Sequence, residues 1–111
     1  MHELAIMQGV VKLCEKEAAA QGFERVRGIA LAVGAVSGVV PECLEEFFPI
    51  AAKGSVAEGA RLDIRRVPAG IECPDCGYAG DIGGLDCPRC GGYGYRLVRG
   101  REFFIDSLEV E

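Results

Sequence analysis

Four of the six cysteines form a pattern that is typical of a metal site. They occur in two copies of the motif C-P-x-C-G, with ten residues between the second cysteine and the third: Cys73, Cys76, Cys87 and Cys90. Each C-x-x-C turn can present two thiolates to one ion, and the glycine that follows permits the backbone conformation that closes the turn. Four thiolates suit Zn2+, and because protein atoms fill every position we expect the zinc to be structural. An iron site and a redox dithiol pair are the alternatives.

The only histidine is the second residue of the chain. The simplest interpretation of His2 is a mobile surface group, because chain termini are usually mobile and unligated. The alternative is chelation, in which the α-amine of Met1, the His2 amide nitrogen and the imidazole Nδ1 close two rings in one plane around an ion that ionises the amide. Planar nitrogen donors suit Ni2+ or Cu2+, and Glu3 could complete or flank the plane through its amide or its carboxylate.

Other reactive residue types favour structural roles. Cys14 and Cys43 are each predicted to lie on a helix and to behave as small buried hydrophobic residues. Glu45 and Glu46 are adjacent, so they do not share a helical face and are expected to be solvated. The sequence contains no phosphate-binding loop motif and no assignable hydrolytic triad, and the zinc has no open position, so we do not expect an enzyme.

The elements that must position these residues follow from the hydrophobic pattern. A first helix is predicted to end near Gly22, since one apolar stripe recurs at three- and four-residue steps: Leu4, Met7, Val11, Cys14 and Ala18. The apolar run 29–33 predicts a central strand covered on both faces. A second helix is expected to begin at Pro41, with a kink or break near residues 46–48 because Pro49 removes a hydrogen bond.

The chain is expected to have an α+β fold in two lobes. Alternating patterns at 61–65 and 107–111 predict two half-buried strands. The segment 69–100 between them is rich in Gly and Cys and poor in aliphatic residues, which indicates a separate excursion. We therefore expect one discontinuous lobe formed by residues 1–68 and 101–111, with residues 69–100 inserted as a second lobe.

Charge and hydropathy limit the classes of partner. Seventeen acidic and 12 basic residues give a net charge of -5, which repels a nucleic-acid backbone. The tyrosines of the 69–100 segment are expected to be packing residues, not a base-stacking platform: Tyr78, Tyr93 and Tyr95. No apolar run is long enough for a membrane span, and charged residues near the N-terminus disfavour a signal peptide. We expect a cytoplasmic protein, in which closely spaced cysteines bind metal more often than they form disulfides.

Several motifs occur together and in order along the whole chain. They are the Met-His-Glu-Leu start at 1–4, the Gly-Ser-Val-Ala-Glu-Gly-Ala turn at 54–60, the two C-P-x-C-G motifs and the Ser-Leu-Glu-Val-Glu end at 107–111. With these motifs the sequence resembles the HypA/HybF family of nickel metallochaperones for hydrogenase maturation. The resemblance implies a small nickel-binding lobe of two helices on a three-stranded sheet, joined to a zinc ribbon.

The same resemblance implies roles for particular residues. His2 would be the principal nickel ligand with Glu3 assisting, and the four motif cysteines would hold structural zinc. The nickel would pass to the hydrogenase large-subunit precursor in cooperation with a maturation GTPase, and some family members also serve urease. Some relatives take a further nickel ligand from just before the second helix, where this chain has Val40 and Pro41, with Glu42 as the nearest substitute. The alternative is a zinc-ribbon interaction or regulatory module that does not deliver nickel.

Overall fold

The protein is mixed α and β, as the sequence predicts. A computed structural model describes residues 2–111 and contains two helices and two three-stranded sheets. The elements in chain order are α1 (Glu3–Gln21), β1 (Val26–Gly34), α2 (Pro41–Ala52), β2 (Arg61–Val67), β3 (Gly70–Glu72), β4 (Ala79–Asp81), β5 (Arg96–Arg99) and β6 (Phe103–Val110). The first sheet has the strand order β2-β1-β6 and the second has the order β4-β3-β5.

Helix α1 forms along the predicted apolar stripe. Met7, Val11, Cys14 and Ala18 of that stripe are buried together with Val10. The helix ends where the sequence indicates, because Gly22 adopts a left-handed φ of 79° and its N–H donates to the Ala18 carbonyl at 2.9 Å. A left-handed residue after the last turn satisfies carbonyls that would otherwise lack a partner.

Strand β1 is the centre of the first sheet, as predicted. It runs parallel to β2 and antiparallel to β6. Its larger side chains face the helices and form the core with α1 and α2: Val26, Ile29, Leu31 and Val33. On the opposite face β1 carries Gly28, over which Arg61 of β2 reaches to Glu109 of β6 at 3.2 Å. Ion pairs thus cover the face of the sheet that the helices leave open.

Helix α2 runs without interruption from Pro41 to Ala52, so the expected break near residues 46–48 is wrong. Leu44, Phe48 and Ala52 recur every four residues and are buried against the core, which stabilises the helical path. Pro49 is exposed. The hydrogen bond that the proline removes is therefore lost on the side of the helix where water can bind the carbonyl.

The second sheet lies entirely within residues 70–99, where the sequence predicts the inserted lobe. Its own small core contains Ile71, Cys73 and Cys87. The chain returns from the second sheet to the first at Gly100, which lies against the end of β1, so that a Cβ on Gly34 would lie 2.1 Å from the Gly100 oxygen. The lobe boundaries at 68/69 and 100/101 stay a prediction.

Candidate metal sites

The four motif cysteines converge at one point of the second sheet. Their sulfur atoms all lie within 4.8 Å of one another. Cys73 Sγ is 3.8 Å from Cys90 Sγ, and Cys76 Sγ is 3.6 Å from Cys87 Sγ, which is too long for a disulfide bond. A tetrahedral ion with metal–sulfur bonds of about 2.3 Å requires sulfur–sulfur separations of about 3.8 Å. The cluster therefore fits one tetrahedral ion with four sulfur ligands.

The two C-P-x-C-G motifs fold into the same turn. In the first, the Gly77 N–H donates to the Cys73 carbonyl at 2.8 Å and the Cys73 N–H donates to the Tyr78 carbonyl at 2.8 Å. The second repeats this pattern around Cys87, with distances of 2.8 and 2.9 Å. Gly77 and its counterpart Gly91 have φ values of 80° and 73°. These left-handed conformations explain why a glycine follows each cysteine pair.

Thiol acidity differs within the cluster. The main-chain N–H of Cys90, helped by that of Arg89 and by the neighbouring thiols, outweighs burial and lowers the pKa of Cys87 to about 7. At Cys76 the main-chain N–H of Tyr78 lowers the pKa, but burial and the other three thiols outweigh it and raise the pKa to about 12. A second thiolate is costly beside the first because like charges repel. A divalent cation removes that repulsion, so the cluster is suited to hold one.

The tyrosines of this lobe do not all behave as predicted. Tyr78 and Tyr95 pack against the small core, and their hydroxyls donate to the carbonyls of Asp81 and Leu85 at 2.7 Å each. The prediction is wrong for Tyr93, which is 75% exposed. Glycines flank Tyr93 on both sides and provide no side chain for it to pack against.

His2 lies at the start of α1 as its N-cap residue, with an exposed side chain. Its carbonyl accepts a hydrogen bond from the Ile6 N–H at 3.1 Å, but its imidazole makes no capping hydrogen bond. Met1, whose α-amine belongs to the predicted chelate, lies outside the described residues. Within residues 2–111, the four-cysteine cluster is the one group of His, Cys, Asp and Glu side chains close enough to share an ion. A nickel site at His2 therefore depends on main-chain nitrogens.

The two carboxylates that the sequence analysis connects with nickel have protein partners. Glu3 is half-buried, and its Oε2 accepts a hydrogen bond at 3.3 Å from the N–H of Val40, the residue before α2. Glu42, the substitute ligand in the second helix, pairs with Arg66 of β2. Sequence reasoning missed both contacts because the partners are far apart along the chain and neither pair forms a motif.

The other candidate residues agree with their structural interpretations, except for Cys43. Cys14 is fully buried, as predicted, and desolvation together with the charge of Glu15 raises the pKa of its thiol. Cys43 is half-buried and does not belong to the buried core, so its predicted burial is wrong. Desolvation followed by the carboxylates around it raises the pKa of the Cys43 thiol as well. Both thiols are therefore poor nucleophiles. Glu45 and Glu46 are exposed, as expected of a solvated helix face. Neither helix is long and apolar enough to cross a membrane in the described part of the chain.

Comparison with known proteins gives one consistent result. A family profile described as "HypA: Hydrogenase/urease nickel incorporation, metallochaperone" matches residues 1–110. The chain is 45% identical to the hydrogenase maturation factor HypA of Geobacter metallireducens and 44% identical to that of Geobacter sulfurreducens, over the full length of each protein. The fold is similar to the solution structure of the Ni metallochaperone HypA from Helicobacter pylori, with a TM-score of 0.69, 24% identity and coverage of 99% of this chain and 97% of that one.

A second solution structure of a HypA protein gives a TM-score of 0.73 at 24% identity, covering all of this chain and 97% of the other. The family suggested by the Met-His-Glu start and the four cysteines is thus confirmed by the profile and by full-length relatives, and the fold by both structures. The chain belongs to the HypA family of hydrogenase/urease nickel incorporation metallochaperones.

Proposed function

We propose that this protein binds Ni2+ through Met1, His2 and Glu3 and delivers it to the hydrogenase large-subunit precursor during maturation. The observation that carries the proposal is the exposed imidazole of His2 at the start of α1, next to main-chain nitrogens that the helix does not use. Exposed donors suit cargo, because a recipient site can displace them one at a time. The protein then acts by transfer and not as an enzyme.

The position at a helix N-terminus favours the chemistry of this site. The first amides of a helix have no hydrogen-bond acceptor within it, so their nitrogens are available to a metal. An amide that loses its proton to bind nickel becomes an anion and is then a strong donor to the ion. The α-amine of Met1, the ionised amide nitrogen of His2 and its imidazole nitrogen would form the planar set of donors that Ni2+ prefers.

The four-cysteine cluster is assigned a structural role. We assign Zn2+ to Cys73, Cys76, Cys87 and Cys90, because the sulfur separations fit tetrahedral coordination and four thiolates leave no position for a substrate. Zinc would supply folding free energy to a lobe whose core is small. Fe2+ takes the same four-sulfur geometry, so geometry alone does not separate the two ions. Metal analysis of the purified protein distinguishes them.

The proposed partners follow from family membership. They are a hydrogenase-maturation GTPase, the hydrogenase large-subunit precursor and, in keeping with the family description, urease maturation factors. We expect the protein and these partners to act in the cytoplasm.

The alternative is a zinc-ribbon interaction module without nickel delivery. Its nucleic-acid version is disfavoured by the charges of the second sheet, since Arg96 pairs with Glu72 and Arg99 pairs with Asp81. Arg89 donates to the Cys76 carbonyl at 3.4 Å. The arginines that could contact phosphates are therefore already engaged with protein acceptors.

Calorimetric titration with Ni2+ tests the proposal. The wild-type protein with an unmodified start should bind nickel, whereas His2→Ala and a variant with residues added before Met1 should each lose that site. Zinc content should be the same in all three proteins and should fall only when a cluster cysteine is replaced. Equal nickel affinity in the three proteins would reject the assignment of nickel to the N-terminus.

A further inference from the structure

The carboxylate of Glu3 is used by the protein itself. Its Oε2 accepts a hydrogen bond from the Val40 main-chain N–H at 3.3 Å, and this contact links the first turn of α1 to the residue that precedes α2. The two helices also pack against each other. The hydrogen bond is therefore a tether at the end of the helix pair where His2 lies.

Val40 is a fixed point for this tether. Its carbonyl accepts hydrogen bonds from the N–H groups of Cys43 at 3.0 Å and Leu44 at 3.2 Å, which are the first bonds of α2. Pro41 follows and restricts the backbone further. The Val40 N–H has no acceptor within α2, because it precedes the helix. The Glu3 carboxylate thus satisfies a main-chain donor that is held rigidly by the second helix.

The start of α1 has no comparable anchor of its own. His2 is the N-cap residue, and its side chain makes no capping hydrogen bond. The first turn of a helix without a cap is prone to fray. Within residues 2–111, the hydrogen bond between Glu3 and Val40 opposes such fraying. Glu3 is the residue next to His2, which carries the imidazole.

We infer that Glu3 is a positioning residue for nickel, whose carboxylate holds the start of α1 against Val40 while nickel is bound by main-chain nitrogens and the His2 imidazole. This inference rests on the proposed function and specifies how Glu3 assists His2. The carboxylate supplies no ligand atom. Its amide nitrogen, in the first turn of α1, remains available to the metal. Groups that orient metal ligands without touching the metal typically change metal affinity by about 10- to 100-fold when they are removed.

Two substitutions at position 3 separate positioning from ligation. Glu3→Gln keeps an oxygen that accepts the Val40 N–H but lacks the negative charge of a carboxylate ligand. We expect it to retain nickel affinity and the visible absorption spectrum of bound Ni2+. Glu3→Ala removes the acceptor and should weaken nickel binding by about tenfold. Its nickel spectrum should be unchanged, because the ligand atoms are the same.

Removal of the donor provides the second arm of the test. Val40→Pro eliminates the N–H, and it requires the φ of this position to shift from -98° toward about -65°. In the Val40→Pro background, Glu3→Ala should cause little further loss of nickel affinity. This double-mutant cycle isolates the contact, since any effect of proline on the backbone is present in both members of the pair.

Glu45→Ala is the matched control, because it removes the same charge from an exposed site on α2. It should leave nickel affinity unchanged. Zinc content and the urea midpoint of each variant show whether the protein is folded.

The inference is overturned if Glu3→Gln loses nickel affinity as Glu3→Ala does, or if it shifts the nickel spectrum, because either result would make the carboxylate a ligand. It is also overturned if Glu3→Ala binds like wild type, or if its effect is undiminished in the Val40→Pro background. Failure of the proposed function is a different result, in which His2→Ala itself retains nickel.

Discussion

Replacement of one cluster cysteine should unfold the second sheet without unfolding the first. Cys87→Ser is the most informative change, because Cys87 is 1% exposed and belongs to both the sulfur cluster and the small core. A serine hydroxyl is a poor zinc ligand, so we expect the zinc stoichiometry to fall from one ion per chain to none. Cys43→Ser is the matched control and should leave the zinc content unchanged, since Cys43 lies outside the cluster.

The size of the effect follows from the content of the two cores. Besides two of the cysteines, the core of the second sheet contains a single fully buried residue, Ile71. Burial of one such side chain stabilises a fold by about 1.5–3 kcal/mol. Structural zinc contributes about 10–16 kcal/mol in small zinc-binding peptides. With zinc at the four-cysteine cluster, as proposed, the metal would therefore provide most of the stability of this lobe. The first sheet has its own large core with two helices and does not depend on it.

Amide hydrogen exchange measures the two lobes separately. In Cys87→Ser the main-chain amides of β3 and β5 that are protected in the wild type, around the paired positions Ile71 and Leu97, should lose protection. Those of Ile29 and Leu31 in β1 should remain protected. The reasoning is refuted if Ile71 and Leu97 stay protected in protein that contains no zinc, because packing would then suffice to fold the second sheet.

Three further predictions concern stability. Leu31→Ala empties a fully buried position and should lower the free energy of unfolding by about 2–5 kcal/mol in urea titration. Leu85→Ala, at a position 81% exposed, should change it by less than about 0.5 kcal/mol. Gly34→Ala should lower the free energy of unfolding by more than about 3 kcal/mol, because the added Cβ would collide with main-chain atoms. Gly83→Ala is the control and should lower it far less, because a Cβ there meets nothing within 4 Å. Equal losses in the two variants would contradict this account. The main-chain N–H groups of residues 102 and 100 lower the pKa of Glu102 below its ordinary 4.5. The charged carboxylate therefore stabilises the folded state above that pH. This contribution is lost as the pH falls through the folded-state pKa. The stability difference between wild type and Glu102→Gln should therefore shrink below about pH 4.5, and a difference independent of pH would contradict the assignment.

The sequence is sufficient to predict features that depend on local spacing. The C-P-x-C-G motifs, the stripe of α1 and the apolar run of β1 each specify their own conformation through nearby residues. The cysteine cluster is predictable because each turn is closed by hydrogen bonds within six residues, such as the one from Gly77 to Cys73. Two turns that each present a pair of thiols need only one ion to bring them together.

Features that depend on tertiary contacts could not be predicted. The partner of Glu3 is 37 residues away in sequence, and it is a main-chain group that any residue type supplies. The prediction of a break near residues 46–48 is wrong because it considers only the effect of Pro49 on an isolated helix, whereas the buried Phe48 fixes the path of the chain. Tyr93 is exposed for a related reason, since its residue type predicts burial but its glycine neighbours offer no packing surface.

The strand order of the first sheet has a consequence for how the molecule assembles. Strand β6 comes last along the chain, yet it must find β1, pairing Val33 with Phe103 across all of the intervening sequence. The second sheet reduces this search, because its pairing of Gly70 with Arg99 brings the flanking segments together. The cost of closing a flexible loop grows by about 0.6 kcal/mol for each doubling of its length, so a folded insertion, which shortens this loop by less than half, saves about 0.5 kcal/mol. Zinc capture during synthesis would therefore favour completion of the other lobe, although its contribution to the stability of that lobe would be small.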